Sequence, residues 1–405
     1  MQLPSRIPTP SLKLNMNIGR RPGADVVGLD IQPGFVAAVK ARVNGSILAE
    51  QASALPLAAD VVRDGEVMDE EVLSDALREL FGKSRMSKRV RVGVANQRTV
   101  LRTLELPPVT DQKELAAAVN FQAQDQVPMP LSNAVLDFHP LGVIDTPAGP
   151  RQRVVLVAAQ RDMVERLLAA VRRAGLSPAG VDLSAFALIR SLYRADPEQS
   201  ARVLYLNVDG LTNLAIAEGT VCHFTRVVGS GLEGMASELA ERRGIALVEA
   251  RELLAGADLT APAAQEPSAA PQAQVEPPLG EGEEQAEQAD ADPEDLYTAE
   301  PIAAPQPGAD TELASVLEGG IREISGEVRN SLDFHRSQEG GGEVSHVVLS
   351  GSAQDIPGFA ESLQLSLGLE VRSQTIGLCD DRVADIVSPH RLAVATGLAA
   401  SEVPQ

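Results

Sequence analysis

Residues 26–31 (VVGLDI) and 34–43 (GFVAAVKARV) are two short apolar runs separated by a tight turn, and they predict the two strands of a hairpin. A third strand follows at 47–53. Over residues 69–82 (DEEVLSDALRELFG) the period changes. Val72, Leu73, Ala76, Leu77 and Leu80 form one apolar stripe behind a capping Asp69, which predicts a helix. Residues 89–95 (RVRVGVA) alternate and predict a strand. From about Asn96 a different grouping begins. It has a strand at 100–106, then a helix capped by Thr110 that runs to Gln126 and is stopped by Pro128 and Pro130. Strands at 134–141 and 153–159 follow, joined by a loop carrying Thr146, Pro147, Gly149 and Pro150. A helix at 161–174 ends at Gly175, which suits a left-handed cap, and a helix at 184–194 comes next.

A second cycle opens with strands at 202–208, 212–217 and 220–228 and helices at 232–243 and 247–254. It resumes with a long helix at 311–337, a strand at 345–349, a helix at 357–367, a strand at 369–372 and a last helix at 389–400. The strand-strand-strand-helix-strand order is that of a ribonuclease-H-like domain, the unit that actin-like proteins duplicate. The expected fold class is therefore α/β: an actin-like fold of two ribonuclease-H-like domains, with a small α+β module inserted in the first and a disordered acidic loop in the second. By position, the reading is a flexible tail over 1–23, the first domain over 24–95 and 184–200, and the module over 96–183. The second domain covers 201–388 with the insert at 257–310, and helix 389–400 packs back on the first domain.

Composition sharpens this in three places. A chain of 405 residues with 44% hydrophobic residues is too long for one ordinary core. A formal charge of -21 leaves no basic surface large enough for nucleic acid. That charge is concentrated: no Lys or Arg stands between Arg251 and Arg322, while Asp258 to Asp310 supply 13 acidic residues, too polar a stretch to order itself. Cys222 and Cys379, without close spacing, predict reduced, buried thiols in a cytosolic protein. No window approaches the roughly 18 apolar residues of a membrane span. The first 23 residues carry Arg6, Lys13, Arg20 and Arg21, and read as a solvated leader or as a tail touching an anionic membrane surface.

The candidate chemistry sits in turns. Asp30 ends an apolar strand, where it either holds Mg²⁺ through water or caps a turn. The turn after it, Gln32-Pro33-Gly34-Phe35, has the layout of the first phosphate-binding hairpin of actin-like ATPases, in which small residues let backbone N–H groups reach phosphate. Pro33 removes one such donor, and Phe35 puts a ring where a hydroxyl would help. The second turn runs Asn207-Val208-Asp209-Gly210-Leu211-Thr212-Asn213. Asp209 is its only charge for metal work, and Thr212 and Asn213 either bind phosphate oxygens or satisfy the turn. Gly229-Ser230-Gly231 before a helix could offer N–H groups to an anion, or be an ordinary connection. Ser350-Gly351-Ser352 after an apolar strand leaves room for an adenine or ribose, or is a tight crossover. The five histidines have no metal-ligand spacing, and no P-loop or G-x-S-x-G is present.

Several longer stretches resemble the PilM family of type IV pilus assembly, a relative of the cell-division protein FtsA. They are GLDIQPGFVAAVK at 28–40, KELAAAVNFQAQDQVPMPLSNAVLDF at 113–138 and VVLVAAQRDMVERLLAAVRRAGLSPAGVDLSAFALIRSL at 154–192. SGSAQDIPGFAESLQLSLGLEV at 350–371 and SPHRLAVATGLA at 388–399 complete the likeness. The resemblance implies an actin-like fold with ATP and Mg²⁺ in the interdomain cleft. It also implies docking of the short cytoplasmic N-terminal peptide of PilN, an inner-membrane protein, in a groove between the first domain and the module, around residues 96–140 and 154–183. A cytoplasmic protein held peripherally at the inner membrane through that partner, and linked to the pilus motor, is the expectation, with a homo-oligomer left open. Family turns carry Gly and Ser or Thr where this chain has Gln32-Pro33-Gly34-Phe35, and Asn207 stands for Asp. The reading is thus an adaptor with weak or absent ATPase activity. The alternatives are an ATP-binding switch or slow ATPase of the same machine, and an FtsA-like division protein. Nucleotide would meet Asp30, Gln32, Gly34, Asp209, Gly210, Thr212, Asn213, Gly229, Gly231, Gly351 and Ser352, with Mg²⁺ on Asp30 and Asp209.

Overall fold

A computed structural model describes residues 26–147, 149–195, 201–260, 307–338 and 340–400. The expected tail at 1–23 and nearly all of the acidic insert lie outside the described residues. In chain order the first part holds β1 (Val27–Gln32), β2 (Phe35–Val43), β3 (Ile47–Pro56), the short β4 (Val62–Arg63) and β5 (Glu66–Val67), α1 (Glu70–Lys83) and β6 (Arg89–Val94). Then come β7 (Thr99–Leu106), α2 (Gln112–Gln126), β8 (Ala134–Thr146), β9 (Gly149–Gln160), α3 (Arg161–Arg173), β10 (Ser177–Leu183) and α4 (Ser184–Leu192). The second half holds β11 (Arg202–Val208), β12 (Thr212–Glu218), β13 (Val221–Val228), α5 (Leu232–Arg243), α6 (Leu247–Ala255) and α7 (Pro307–Ser337). It closes with β14 (Val344–Ser350), α8 (Phe359–Leu367), β15 (Val371–Ser373), β16 (Gly377–Leu378) and α9 (Ala393–Ala399).

The duplication is visible in the sheets. The first runs β10-β6-β1-β2-β3 with β16 added at its edge, and the second runs β13-β12-β11-β14-β15. In both, three antiparallel strands are followed by two parallel ones. Central strands of such a sheet are covered on both faces, which is why β1 and β11 read as near-continuous apolar runs. Leu29, Val36, Val39 and Val92 are fully buried in one core, and Leu204, Leu206, Leu214 and Ile216 in the other. α1 starts where Asp69 accepts from the N–H groups of Glu71 and Val72. It lays Leu73, Leu77 and Leu80 against the sheet. α9 crosses β1 so closely that a Cβ on Gly28 would stand 1.8 Å from the Ala395 carbonyl oxygen.

The module is a three-stranded antiparallel sheet, β7-β9-β8. The period of two divides it cleanly. Val154, Leu156 and Ala158 face Leu115, Val119 and Ala123 of α2, whereas Val155, Val157 and Ala159 join the first domain's core. Several details differ from expectation. α3 and β10, grouped by sequence with the module, lie with the first sheet: α3 packs on α1, and β10 pairs in parallel with β6. An amphipathic helix shows that it has an apolar face, not which sheet that face meets. α2 is capped by Asp111, not Thr110, since the Asp111 carboxylate accepts from the N–H groups of Lys113 and Glu114. β8 and β9 extend into a long hairpin through most of the expected loop. Residues 307–310, assigned to the insert, already belong to α7. Gly175, at φ +78°, takes the left-handed cap. Both cysteines are free, but only Cys222 is buried, and its thiol is pushed up to about 12 by burial; Cys379 is half-buried. Among the described residues, no helix is long and apolar enough to cross a membrane.

Candidate functional site

The carboxyl ends of β1 and β11 bring the two predicted acids together between the domains. Asp30 is 2% exposed, and Gln32 Nε2 donates to its Oδ2 at 3.2 Å. Burial and the nearby Asp209 carboxylate lift the Asp30 pKa from 3.8 to about 7. Asp209 is 1% exposed, and burial raises its pKa as well. Its oxygens are already occupied: Oδ1 accepts from Ser352 N at 2.7 Å and Ser352 Oγ at 2.6 Å, and Oδ2 from Asn207 Nδ2 at 2.9 Å. The second turn is thereby tied to the strand-to-helix connection after β14. Gly351, at φ +96°, makes that approach with only 2.3 Å between its would-be Cβ and the Val208 carbonyl oxygen. Among the described residues no group of three or more His, Cys, Asp or Glu could hold a metal.

The turns themselves are in contact. Gln32 and Phe35 pair across the first hairpin, and Pro33-Gly34 form its turn, with Gly34 at φ +87° as a Pro-Gly turn requires. A Cβ added to Gly210 would stand 2.2 Å from the Pro33 carbonyl oxygen, so backbone meets backbone across the domain boundary. Behind it, Gly231 packs on the same turn: its Cβ would lie 2.5 Å from the Gly210 carbonyl oxygen, and Leu232 N donates to Asp209 O at 2.7 Å.

A lock surrounds this contact. The Arg251 guanidinium pairs with both oxygens of Glu233 and donates to the Leu57 carbonyl at 3.0 Å. Leu57 N in turn donates to Gly34 O at 2.9 Å. The Glu233 Oε2 atom stands 2.8 Å from where a Gly34 Cβ would be. On the other side the Arg391 guanidinium lies 5.3 Å over the Phe35 ring.

The sequence of residues 28–254 matches the family described as type IV pilus assembly protein PilM, more than half of the 405-residue chain. This chain belongs to the PilM family. Among solved structures it is similar to the "PilM-PilN type IV pilus biogenesis complex", at 21% identity and a TM-score of 0.69, over 93% of this chain and 98% of that one. That likeness, with the repeated sheet order, establishes the actin-like fold. The ethanolamine utilization protein EutJ from Carboxydothermus hydrogenoformans (14% identity, 96% and 94% coverage, TM-score 0.49) is more distant. So is MreB5 of Spiroplasma citri bound to AMPPNP (12%, 90% and 94%, 0.44).

In this PilM-family chain, the structure gathers Asp30, Gln32, Gly34, Asp209, Gly210, Gly231, Gly351 and Ser352 around one point. Thr212 is buried and pairs with Val208 along β11. Asn213, on the opposite face of β12, borders a small gap shared with Asn96. Gly229 faces Asp64 of the first domain and Gln97 at the start of the module instead. Buried oxygens of Gln32, Thr212 and Asn213 have no partner. Glu233, Arg251 and Arg391 were not singled out from sequence. An acid in the first turn of a helix is ordinary there, and nothing in the spacing of Arg251 points to Leu57.

Proposed function

We propose that this chain is a cytoplasmic actin-like adaptor of type IV pilus assembly. It binds the short N-terminal peptide of a PilN-like inner-membrane protein and links it to the pilus motor, and its interdomain cleft no longer holds ATP tightly. The contact between Pro33 and Gly210 carries this reading, because phosphates of a bound nucleotide would need the space those two turns fill. The donor set argues the same way. A triphosphate needs N–H groups and cations, whereas this cleft offers Pro33 without an N–H and the carboxylates of Asp30, Asp209 and Glu233. Of the nearby guanidinium groups, Arg251 is spent on Glu233, and Arg391 lies over the Phe35 ring and acts on Asp209. These residues do not fit a magnesium-bound triphosphate, and no step of the proposed function passes through one.

The peptide site is proposed in the seam between the first domain and the module, whose sheet shares Leu101, Val135 and Val157 with the first domain's core. A peptide lodged there would hold the module on the domain without any movement of the cleft. Titration of the full chain with a synthetic N-terminal peptide of the PilN-like protein from the same genome tests this. Saturable binding, unchanged by millimolar Mg-ATP, supports the adaptor. Peptide binding that requires ATP supports the alternative switch, and absence of peptide binding refutes both.

A further inference from the structure

A second cleft, about 1270 Å³ in volume, lies between the module and the second domain. Two of its walls are sheet edges: β7 is the outer strand of the module's sheet, and β13 the outer strand of the second domain's. The strands approach where Thr99 and Val227 border the small gap near Asn96. From there they part, so that Leu101, Arg102, Thr103 and Glu105 line the cleft from one side and Val221, His223, Phe224 and Thr225 from the other. Neither edge has a strand neighbour there among the described residues. Each therefore presents backbone N–H and C=O groups that can template an added strand. The volume exceeds the roughly 300–1,000 Å³ of small-molecule pockets.

The lining chemistry selects the occupant. In a chain of charge -21, this cleft gathers Arg102, Arg151, Arg153 and Arg202 against Glu105, Asp145 and Glu218. Glu105 holds Arg153 at 3.2 Å, and Glu218 holds Arg202 at 3.3 Å. Arg102 and Arg151 have no carboxylate partner among the described residues; Arg102 donates only to the Leu101 carbonyl, at 2.8 Å. His335, 3% exposed, lines the wall with Nδ1 unpartnered. We infer that this cleft docks an extended acidic peptide segment of a partner protein, added as a strand to β7 or β13, with its carboxylates on Arg102 and Arg151. This site shares only Leu101 with the proposed seam between the module and the first domain, and it stands or falls independently of that seam.

The test uses the full chain and a fluorescein-labelled ten-residue peptide alternating Glu and Thr, with a Lys-Thr peptide as control. The Glu-Thr peptide binds in fluorescence anisotropy, and the Lys-Thr peptide does not. Arg102→Glu/Arg151→Glu weakens binding at least tenfold at an unchanged melting temperature, and amide exchange slows in β7 or in β13, whichever edge takes the strand, when the peptide is added. Unaltered binding in the double variant, no binding by the full chain, or protection elsewhere overturns the inference. Edges already protected in the free chain also overturn it. The occupant is then segment 261–306 of the chain itself, or a second copy if that protection grows with protein concentration.

Discussion

Between the two actin-like domains, turns meet so closely that Gly210 has no room for a Cβ beside Pro33, and three carboxylates crowd the point where they meet. Between the module and the second domain, two strand edges part around 1270 Å³ lined with arginines. The first cleft has the turn layout of a ligand site, and on the proposed reading it lacks the space and the charge to hold a triphosphate. The second has space and arginines, at a place where no ligand motif pointed. If the proposed reading holds, turn geometry and capacity to bind are separate properties that have come apart in this chain.

The largest expected effect comes from the buried acid. Because the Asp30 pKa is raised from 3.8 to about 7, the folded chain keeps a proton that the unfolded chain has lost. Stability from this group is highest below pH 4 and falls as pH rises toward 7, by about 4 kcal/mol in all. Asp30→Asn removes that fall. Urea denaturation at pH 4.5, 6 and 8 should show the variant gaining on the wild type as pH rises; parallel profiles would mean that Asp30 is not buried against Asp209 in solution. Gly210→Ala forces a methyl group against the Pro33 carbonyl and should cost about 3 kcal/mol. A loss below about 0.5 kcal/mol would show the turns standing apart. Arg251→Ala breaks a half-buried pair and its bond to Leu57, and should cost about 1.5 kcal/mol by thermal denaturation. Smallest of all, Arg102→Glu/Arg151→Glu in the open cleft should move stability by no more than about 0.5 kcal/mol, with the wild-type pH profile. A larger loss would make those arginines part of the packing and erase the contrast.

What could be read in advance follows from range. The first hairpin was legible within a residue or so because its strands are short apolar runs around a Pro-Gly turn, and the same period-two logic placed β11 to β13. Asp30 and Asp209 were legible as strand-end acids. Their mutual burial was not, since it depends on two domains closing over residues 179 positions apart. Nor was the turn contact: Gly210 and Gly231 look like flexible turn residues in sequence, and the structure uses them as places where backbones touch. The end of the module was misplaced because α3 carries one strong apolar face whether it meets the module or α1. The arginine cleft was invisible because Arg102, Arg151 and Arg202 are scattered along the chain and converge only when β7, β9 and β11 are in place.

The most direct measurement is a calorimetric titration of the full chain with ATP in the presence of Mg²⁺. The closed, acid-lined cleft predicts no dissociation constant tighter than about 1 mM, and hence no saturable heat of binding. Micromolar, magnesium-dependent binding that is lost in Asp30→Ala would contradict it. The turns would then have to open in solution, and the chain would be a nucleotide-driven member of its family.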